Sequence, residues 1–173
     1  MVTILAGNEC TGKSTCFVHL RDIVENSQAV DCLFIKESHT DSELEKIGRV
    51  SYIRELVANN QAALFDRATM LDDLVYNPIT DNKQSQLINE QTKEWYVDTL
   101  KQCQIIFFEC SLDTIKQRLS QRGDEYIDES QLEQIRQGYE AIFEQYGLEP
   151  IRINVDGLSE QEVVEKVMEV LRW

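Results

Sequence analysis

The sequence lacks the features that mark several common classes of protein. It has only 7 glycines and 2 prolines in 173 residues, so most of the chain is predicted to form helices and strands. Its longest apolar runs, Ala62–Phe65 and Ile105–Phe108, are far shorter than the ~20 residues of a membrane span. The segment Met1–Gly7 has no basic residue, so we expect no secretion signal and no membrane partner.

Metal-binding, disulfide and nucleic-acid-binding patterns are missing as well. The 2 histidines and 5 cysteines contain no C-x-x-C pair and no zinc spacing. An odd number of cysteines without a secretion signal indicates reduced thiols and a cytoplasmic location. Positive charge is scarce, because 17 Lys and Arg face 31 Asp and Glu for a net charge of −14. A field of this sign repels a phosphate backbone and argues against nucleic-acid binding.

Short apolar segments alternate along the chain with segments of helical spacing. The predicted strands are Val2–Ala6, Cys32–Ile35, Ala62–Phe65, Ile105–Glu109 and Ile151–Val155. Helices are predicted to begin near Lys13, Asp41, Leu71, Asn82, Ser111, Asp128 and the Ser159–Glu162 capping box. In the second helix Leu44 and Ile47 are expected to point inward, with a break near Gly48. The alternation predicts one α/β domain over residues 1–173, with a parallel sheet buried on both faces.

One motif predicts a phosphate-binding loop. Residues 7–14 match G-x-x-x-x-G-K-[ST] in full, after a predicted strand and before a predicted helix. Such a loop aims backbone N–H groups at phosphates, and the helix adds its positive N-terminal end. Lys13 would reach the β- and γ-phosphates, and Ser14 would hold Mg²⁺. The residues assigned to ATP are Gly7, Asn8, Glu9, Cys10, Thr11, Gly12, Lys13, Ser14 and Thr15.

Charged residues follow two other predicted strands at their carboxyl ends, where ligands bind in open α/β sheets. Asp66 is a candidate for holding a Mg²⁺-bound water, and Arg67 for gripping an acceptor phosphate. The charged residues that follow the predicted strand Cys32–Ile35 have two possible roles. Glu37 could accept the proton of an acceptor hydroxyl, whereas Lys36 could help to hold an acceptor that is already a phosphate.

A pair of arginines later in the chain is typical of a lid that closes over a bound nucleotide. Arg118 and Arg122 are four residues apart and share a helix face before Gly123. A planar guanidinium grips phosphate in two places, so a lid at about residues 118–130 is predicted to close on ATP. The chain has no N-K-x-D motif of GTPases, and its small size favours a small-molecule kinase over a remodelling ATPase.

These motifs together resemble the thymidylate kinase and deoxynucleoside kinase superfamily of P-loop kinases. The likeness rests on acidic Glu9 in the loop, on Asp66-Arg67, on the following segment Leu74–Tyr76, and on the lid sequence Arg118–Gly123. It implies a three-layer sandwich with a five-stranded parallel sheet flanked by helices. It also implies that Glu9 lies near the acceptor's sugar and that the protein could pair as a homodimer. The compactness of the chain suits a phage or bacterial member.

The sequence departs from the thymidylate kinase pattern at two points. The stretch R-E-P-G-G-T is replaced by residues 36–40, Lys-Glu-Ser-His-Thr, and D-R-[YS] becomes Asp66-Arg67-Ala68, which lacks a hydroxyl. In the shortened segment after Ser38, Arg54 is a candidate for contacting a base.

We therefore expect an enzyme that uses ATP and Mg²⁺ to phosphorylate a (deoxy)nucleoside monophosphate, with dTMP as the first choice. Lys13, Arg67, Arg118 and Arg122 would serve the transfer, and Glu9, Lys36, Arg54 and Arg67 the acceptor. One alternative is a deoxynucleoside kinase with Glu37 as general base. A second is a nucleotide-binding regulator without catalytic activity.

Overall fold

A computed structural model describes residues 1–27, 30–40, 42–76, 78–79, 90–122 and 131–172, with the backbone alone at residues 90, 91 and 122. The strands are β1 (Val2–Gly7), β2 (Cys32–Lys36), β3 (Ala62–Asp66), β4 (Gln104–Glu109) and β5 (Ile151–Asn154). The helices are α1 (Lys13–Ser27), α2 (Glu43–Ala58), α3 (Thr69–Tyr76), α4 (Glu90–Leu100), α5 (Leu112–Arg122), α6 (Leu132–Tyr146) and α7 (Glu160–Val170). Across these ranges no helix is long and apolar enough to span a bilayer.

The five strands form one parallel sheet in the order β2-β3-β1-β4-β5. The chain moves from β1 to one side of the sheet and then returns to β4 on the other side. This reversal places a crevice at the carboxyl end of β1, where doubly wound sheets bind nucleotides. The expected fold, an α/β sandwich with a five-stranded parallel sheet flanked by helices, is confirmed.

Each face of the sheet is covered by its own set of helices. Val2, Ile4 and Ala6 of β1 point to the face that packs against α2, α3, α4 and α6, and Leu5 points to the face that packs against α1 and α7. Successive side chains of a strand alternate between faces, so a continuously apolar strand must be buried on both sides. All six residues of β1 are buried accordingly.

Helix α2 differs from the sequence prediction. Its N-cap is Ser42, whose hydroxyl accepts the Glu45 N–H, and the helix runs through Gly48 without a break. The prediction that Leu44 and Ile47 point inward is wrong, because Leu44 is 80% exposed and Ile47 also lies at the surface. The buried face instead contains Lys46, Val50, Ile53 and Leu56. A buried lysine breaks the apolar spacing, and the prediction followed the apolar residues alone.

The other elements follow the sequence prediction to within a few residues at their ends. In α1 the apolar residues Phe17, Leu20 and Val24 are buried, whereas Ile23 is 42% exposed. The capping box at Ser159 is present, with the Ser159 hydroxyl accepting the Glu162 N–H and the Glu162 carboxylate accepting the Ser159 N–H. The predicted starts at Asn82 and Asp128 lie outside the described residues.

Candidate active site

The loop between β1 and α1 has the backbone that the phosphate motif requires. Gly7 has φ +135° and Gly12 has φ +93°, a region that side chains with a Cβ rarely adopt. A Cβ on Gly7 would also lie 2.7 Å from the carbonyl oxygen of Phe108 on β4. The Thr11 hydroxyl donates to Asn8 O at 2.9 Å and closes the loop on itself. Both glycines are therefore structural requirements of the loop.

Lys13 is folded into this loop. Its Nζ donates to Gly7 O at 2.7 Å and to Asn8 O at 2.5 Å, and the residue is 4% exposed. Burial, aided by the nearby positive charge of Arg67, lowers the pKa of Lys13 to about 8. The Lys13 ammonium therefore lies inside the loop, where the motif predicts that phosphate binds.

Asp66 is a buried carboxylate at the end of β3. It lies beside β1 and is 1% exposed, and neither of its carboxylate oxygens has a hydrogen-bond partner among the described residues. Its nearest cation is Lys36, whose largely exposed ammonium lies 3.6 Å from Asp66 Oδ2. A buried carboxylate without donors costs free energy unless something else satisfies it. Asp66 and Ser14 are hard oxygen donors of the kind that share Mg²⁺ with substrate phosphates and water.

Arg67 is paired with a carboxylate of the phosphate-binding loop. Its Nη2 donates to Glu9 Oε2 at 2.5 Å, which links the loop to the end of β3. Burial alone would lower the pKa of Arg67, but the carboxylates of Glu9 and Asp72 raise it. The backbone at Arg67 is left-handed, with φ +71°, a conformation that persists in a non-glycine residue when its surroundings impose it.

Asp72, which the sequence analysis did not single out, completes this charge cluster. It lies in α3, and its Oδ1 accepts the Tyr139 O–H of α6 at 3.3 Å. Burial and the Glu9 carboxylate raise the pKa of Asp72 to about 6, although Arg67 and Lys13 oppose the shift. The sequence signal that could have indicated Asp72 is its position shortly after Asp66-Arg67.

Glu37 is held firmly at the end of β2. Its side chain is only 7% exposed, and its Oε2 accepts both the backbone N–H and the hydroxyl of Thr69, each at 2.6 Å. Arg49 of α2 contacts the same group, with Nη1 3.8 Å from Glu37 Oε2. Thr69 and Arg49 were not foreseen, because nothing in their local sequence marks them.

A cavity of about 430 Å³ opens on the other side of the loop, between α1, α5 and α7. Its wall includes Cys10, Thr15 and Arg118, with Val155 and Val163 forming an apolar side. Arg118 Nη1 donates to Cys10 O at 3.0 Å and so holds α5 against the loop. The size and the apolar wall suit a nucleobase beside the phosphate cradle.

Two further residues, Arg54 and Arg122, were predicted to belong to the site. Arg54 does not join the cluster, because its guanidinium donates to Thr99 Oγ1 at 3.4 Å and lies 5.8 Å from the centroid of the Trp95 ring on α4. The side chain of Arg122 and residues 123–130 of the predicted lid lie outside the described residues. Within the described ranges no three His, Cys, Asp or Glu side chains form a metal site.

Comparison with known proteins decides the family. The deoxynucleoside kinase model matches residues 43–172. The chain belongs to the deoxynucleoside kinase family. No curated protein sequence matches this kinase. The family is one of phosphotransferases that act on nucleosides or nucleotides, so a nucleotide phosphate donor is implied.

Solved structures agree with the fold. The Bacillus subtilis YorR protein, crystallised in complex with phosphorylated GDP, has 22% sequence identity to this kinase and a TM-score of 0.73, over 98% of this chain and 95% of that one. Deoxyadenosine kinase from M. mycoides, with the products dCMP and a flexible dCDP bound, has 18% identity and a TM-score of 0.57, over 98% and 97%. The same enzyme with bound dCTP gives the same values.

Proposed function

We propose that this kinase transfers the γ-phosphoryl group of ATP to a hydroxyl group of a deoxynucleoside, with Glu37 as general base. The observation that carries the proposal is the environment of Glu37. A base must be fixed within reach of the proton that it abstracts, and this carboxylate is buried at a strand end and held by Thr69 and Arg49. An acceptor that already carries a phosphate would need no such base.

The charges beside the phosphate loop also favour an uncharged acceptor. Arg67, the cation expected to grip an acceptor phosphate, is neutralised by Glu9 at 2.5 Å and faces Asp72 as well. A nucleoside monophosphate would bring negative charge next to both carboxylates. Like charges in a partly buried site repel strongly, so a hydroxyl group fits this surface better than a phosphate.

The donor side uses the residues around the loop. Lys13 and the N–H groups of residues 7–15 would hold the phosphates, and Arg118 would contact them from α5. When bound, Mg²⁺ neutralises charge on the transferring phosphoryl group, and Asp66 and Ser14 are the residues that would hold it. The cavity lined by Val155 and Val163 would take the donor base. Since YorR binds phosphorylated GDP, GTP should be compared with ATP as donor.

The test is ADP release with Mg²⁺-ATP over a panel of deoxynucleosides and the matching monophosphates. We expect turnover with one or more deoxynucleosides, and a fall of ~10²–10⁴-fold in kcat for Glu37→Gln, the usual effect of removing a positioned base. Glu25→Gln, an exposed carboxylate on α1, is the control and should behave as the unaltered enzyme. Turnover with monophosphates alone, unaffected by Glu37→Gln, would refute the proposal.

Phosphorylation of a monophosphate, with dTMP as first choice, is the second candidate. The position of Arg67 favours it, because this partly exposed guanidinium lies at the carboxyl end of β3 and would bind an acceptor phosphate if it exchanged Glu9 for that ligand. Arg67→Met should then raise the KM for the monophosphate far more than the KM for ATP. If ATP binds but no acceptor increases turnover, the protein is instead a nucleotide-binding regulator.

A further inference from the structure

We propose that Thr69, supported by Arg49, is a positioning residue that orients Glu37 toward the acceptor. The inference rests on the proposed function, in which Glu37 is the base. Thr69 donates twice to the same oxygen, since its backbone N–H and its hydroxyl both lie 2.6 Å from Glu37 Oε2. Two donors on one oxygen fix both the position and the rotation of the carboxylate.

Arg49 sets the direction of the Thr69 hydroxyl. Its Nη1 donates to Thr69 Oγ1 at 2.7 Å and to Ser38 O at 2.6 Å. A threonine hydroxyl has one proton to donate. Because Thr69 Oγ1 accepts from Arg49, its own proton is directed to Glu37. The anchor on Ser38 keeps the guanidinium of Arg49 in place, with its side chain only 16% exposed.

This arrangement leaves one oxygen of the Glu37 carboxylate for proton transfer. All the contacts that described residues make with Glu37 use Oε2. The hydroxyl proton of an acceptor must therefore be taken by Oε1. A fixed carboxylate that presents one oxygen loses little conformational freedom during the reaction, and such preorganisation is a large part of catalytic efficiency.

The hydroxyl that contacts Glu37 comes from the residue after Ala68, where α3 begins. Ala68 itself stands where the related pattern D-R-[YS] carries tyrosine or serine.

The decisive experiment is a double-mutant cycle between Thr69→Val and Glu37→Gln, with steady-state kinetics on the best deoxynucleoside. Thr69→Val removes the hydroxyl and keeps the backbone N–H. We expect kcat to fall ~10-fold or more, the usual scale for a hydrogen bond to a charged group, while the KM for ATP stays the same. Thr69→Ser should restore most of kcat. In the Glu37→Gln background Thr69→Val should cause no further loss, because it acts only through Glu37.

Two further variants separate positioning from general damage to the fold. Thr3→Val removes another buried threonine hydroxyl, one that donates to Gln104 on β4, and should leave kcat unchanged. Arg49→Met tests the support even if Thr69→Val folds poorly, and its loss of kcat should not add to that of Glu37→Gln. Normal kcat in Thr69→Val, or additive losses in the cycle, would overturn the inference. Full activity of Glu37→Gln by itself would instead refute the proposed function.

Discussion

The buried ion pair between α2 and α3 allows a quantitative test of the structure. Lys46 Nζ lies 2.9 Å from Asp73 Oδ1, and the two side chains are 7% and 6% exposed. Lys46→Met removes one partner and leaves a carboxylate buried without its counter-charge. Breaking a buried pair in this way costs about 3–5 kcal/mol. For a chain of this size that corresponds to a fall in Tm of roughly 10 °C.

The pH dependence of this loss can be predicted in sign. Burial raises the pKa of Asp73 even though Lys46 opposes the shift. Without Lys46 the pKa of Asp73 rises further, so the folded variant takes up a proton more readily than the unfolded chain does. Stability of the variant therefore improves as pH falls through the raised pKa, and the cost of Lys46→Met is smaller at pH 5.5 than at pH 8.

Urea unfolding at the two pH values measures both effects. Replacing both partners, as in Lys46→Met with Asp73→Leu, should recover most of the loss, because a hydrophobic pair needs no desolvation of charge. Part of the loss should remain, since the Tyr96 hydroxyl donates to Asp73 Oδ2 over a long 3.5 Å. The control is Arg21→Gln, which breaks the exposed pair with Asp22 and should cost no more than about 1 kcal/mol. A cost below 1 kcal/mol for Lys46→Met at pH 8, or one independent of pH, would refute the reasoning.

Three other changes test the site and the fold. Lys13→Ala should reduce turnover by at least ~10²-fold, because the cation beside the phosphates is lost, and normal turnover would contradict the assignment of the loop. Asp72→Asn should flatten the pH dependence of unfolding between about pH 4 and 6. The folded pKa of about 6 lies above the unfolded value, so the stability contributed by Asp72 is lost as pH rises through that range. The control is Asp98→Asn, at an exposed position, and the same slope in both variants would argue against the raised pKa of Asp72. Ser159→Ala should lower the free energy of unfolding by about 1 kcal/mol through loss of the α7 N-cap, measured by urea unfolding, and an unchanged value would contradict the capping box.

Several features of the fold followed from local sequence alone. The alternation of apolar strands with amphipathic helices predicts a parallel sheet, because only a sheet covered on both faces buries such strands fully. Gly7 and Gly12 with Lys13 predict the loop, since they meet its backbone requirements within eight residues. Asp66 and Glu37 could be located at one edge of the sheet because parallel strands end there together.

The tertiary structure decided the contacts made between distant residues. The burial of Lys46 in place of Ile47 depends on Asp73, 27 positions away, because only a partner of opposite charge makes a buried ammonium tolerable. Glu9 and Arg67, 58 positions apart, meet only because β1 and β3 are neighbours in the sheet. The contacts of Thr69 and Arg49 with Glu37 likewise bring α3 and α2 to the end of β2. Sequence spacing determines which residues share one element, whereas the packing of elements determines which charges face each other.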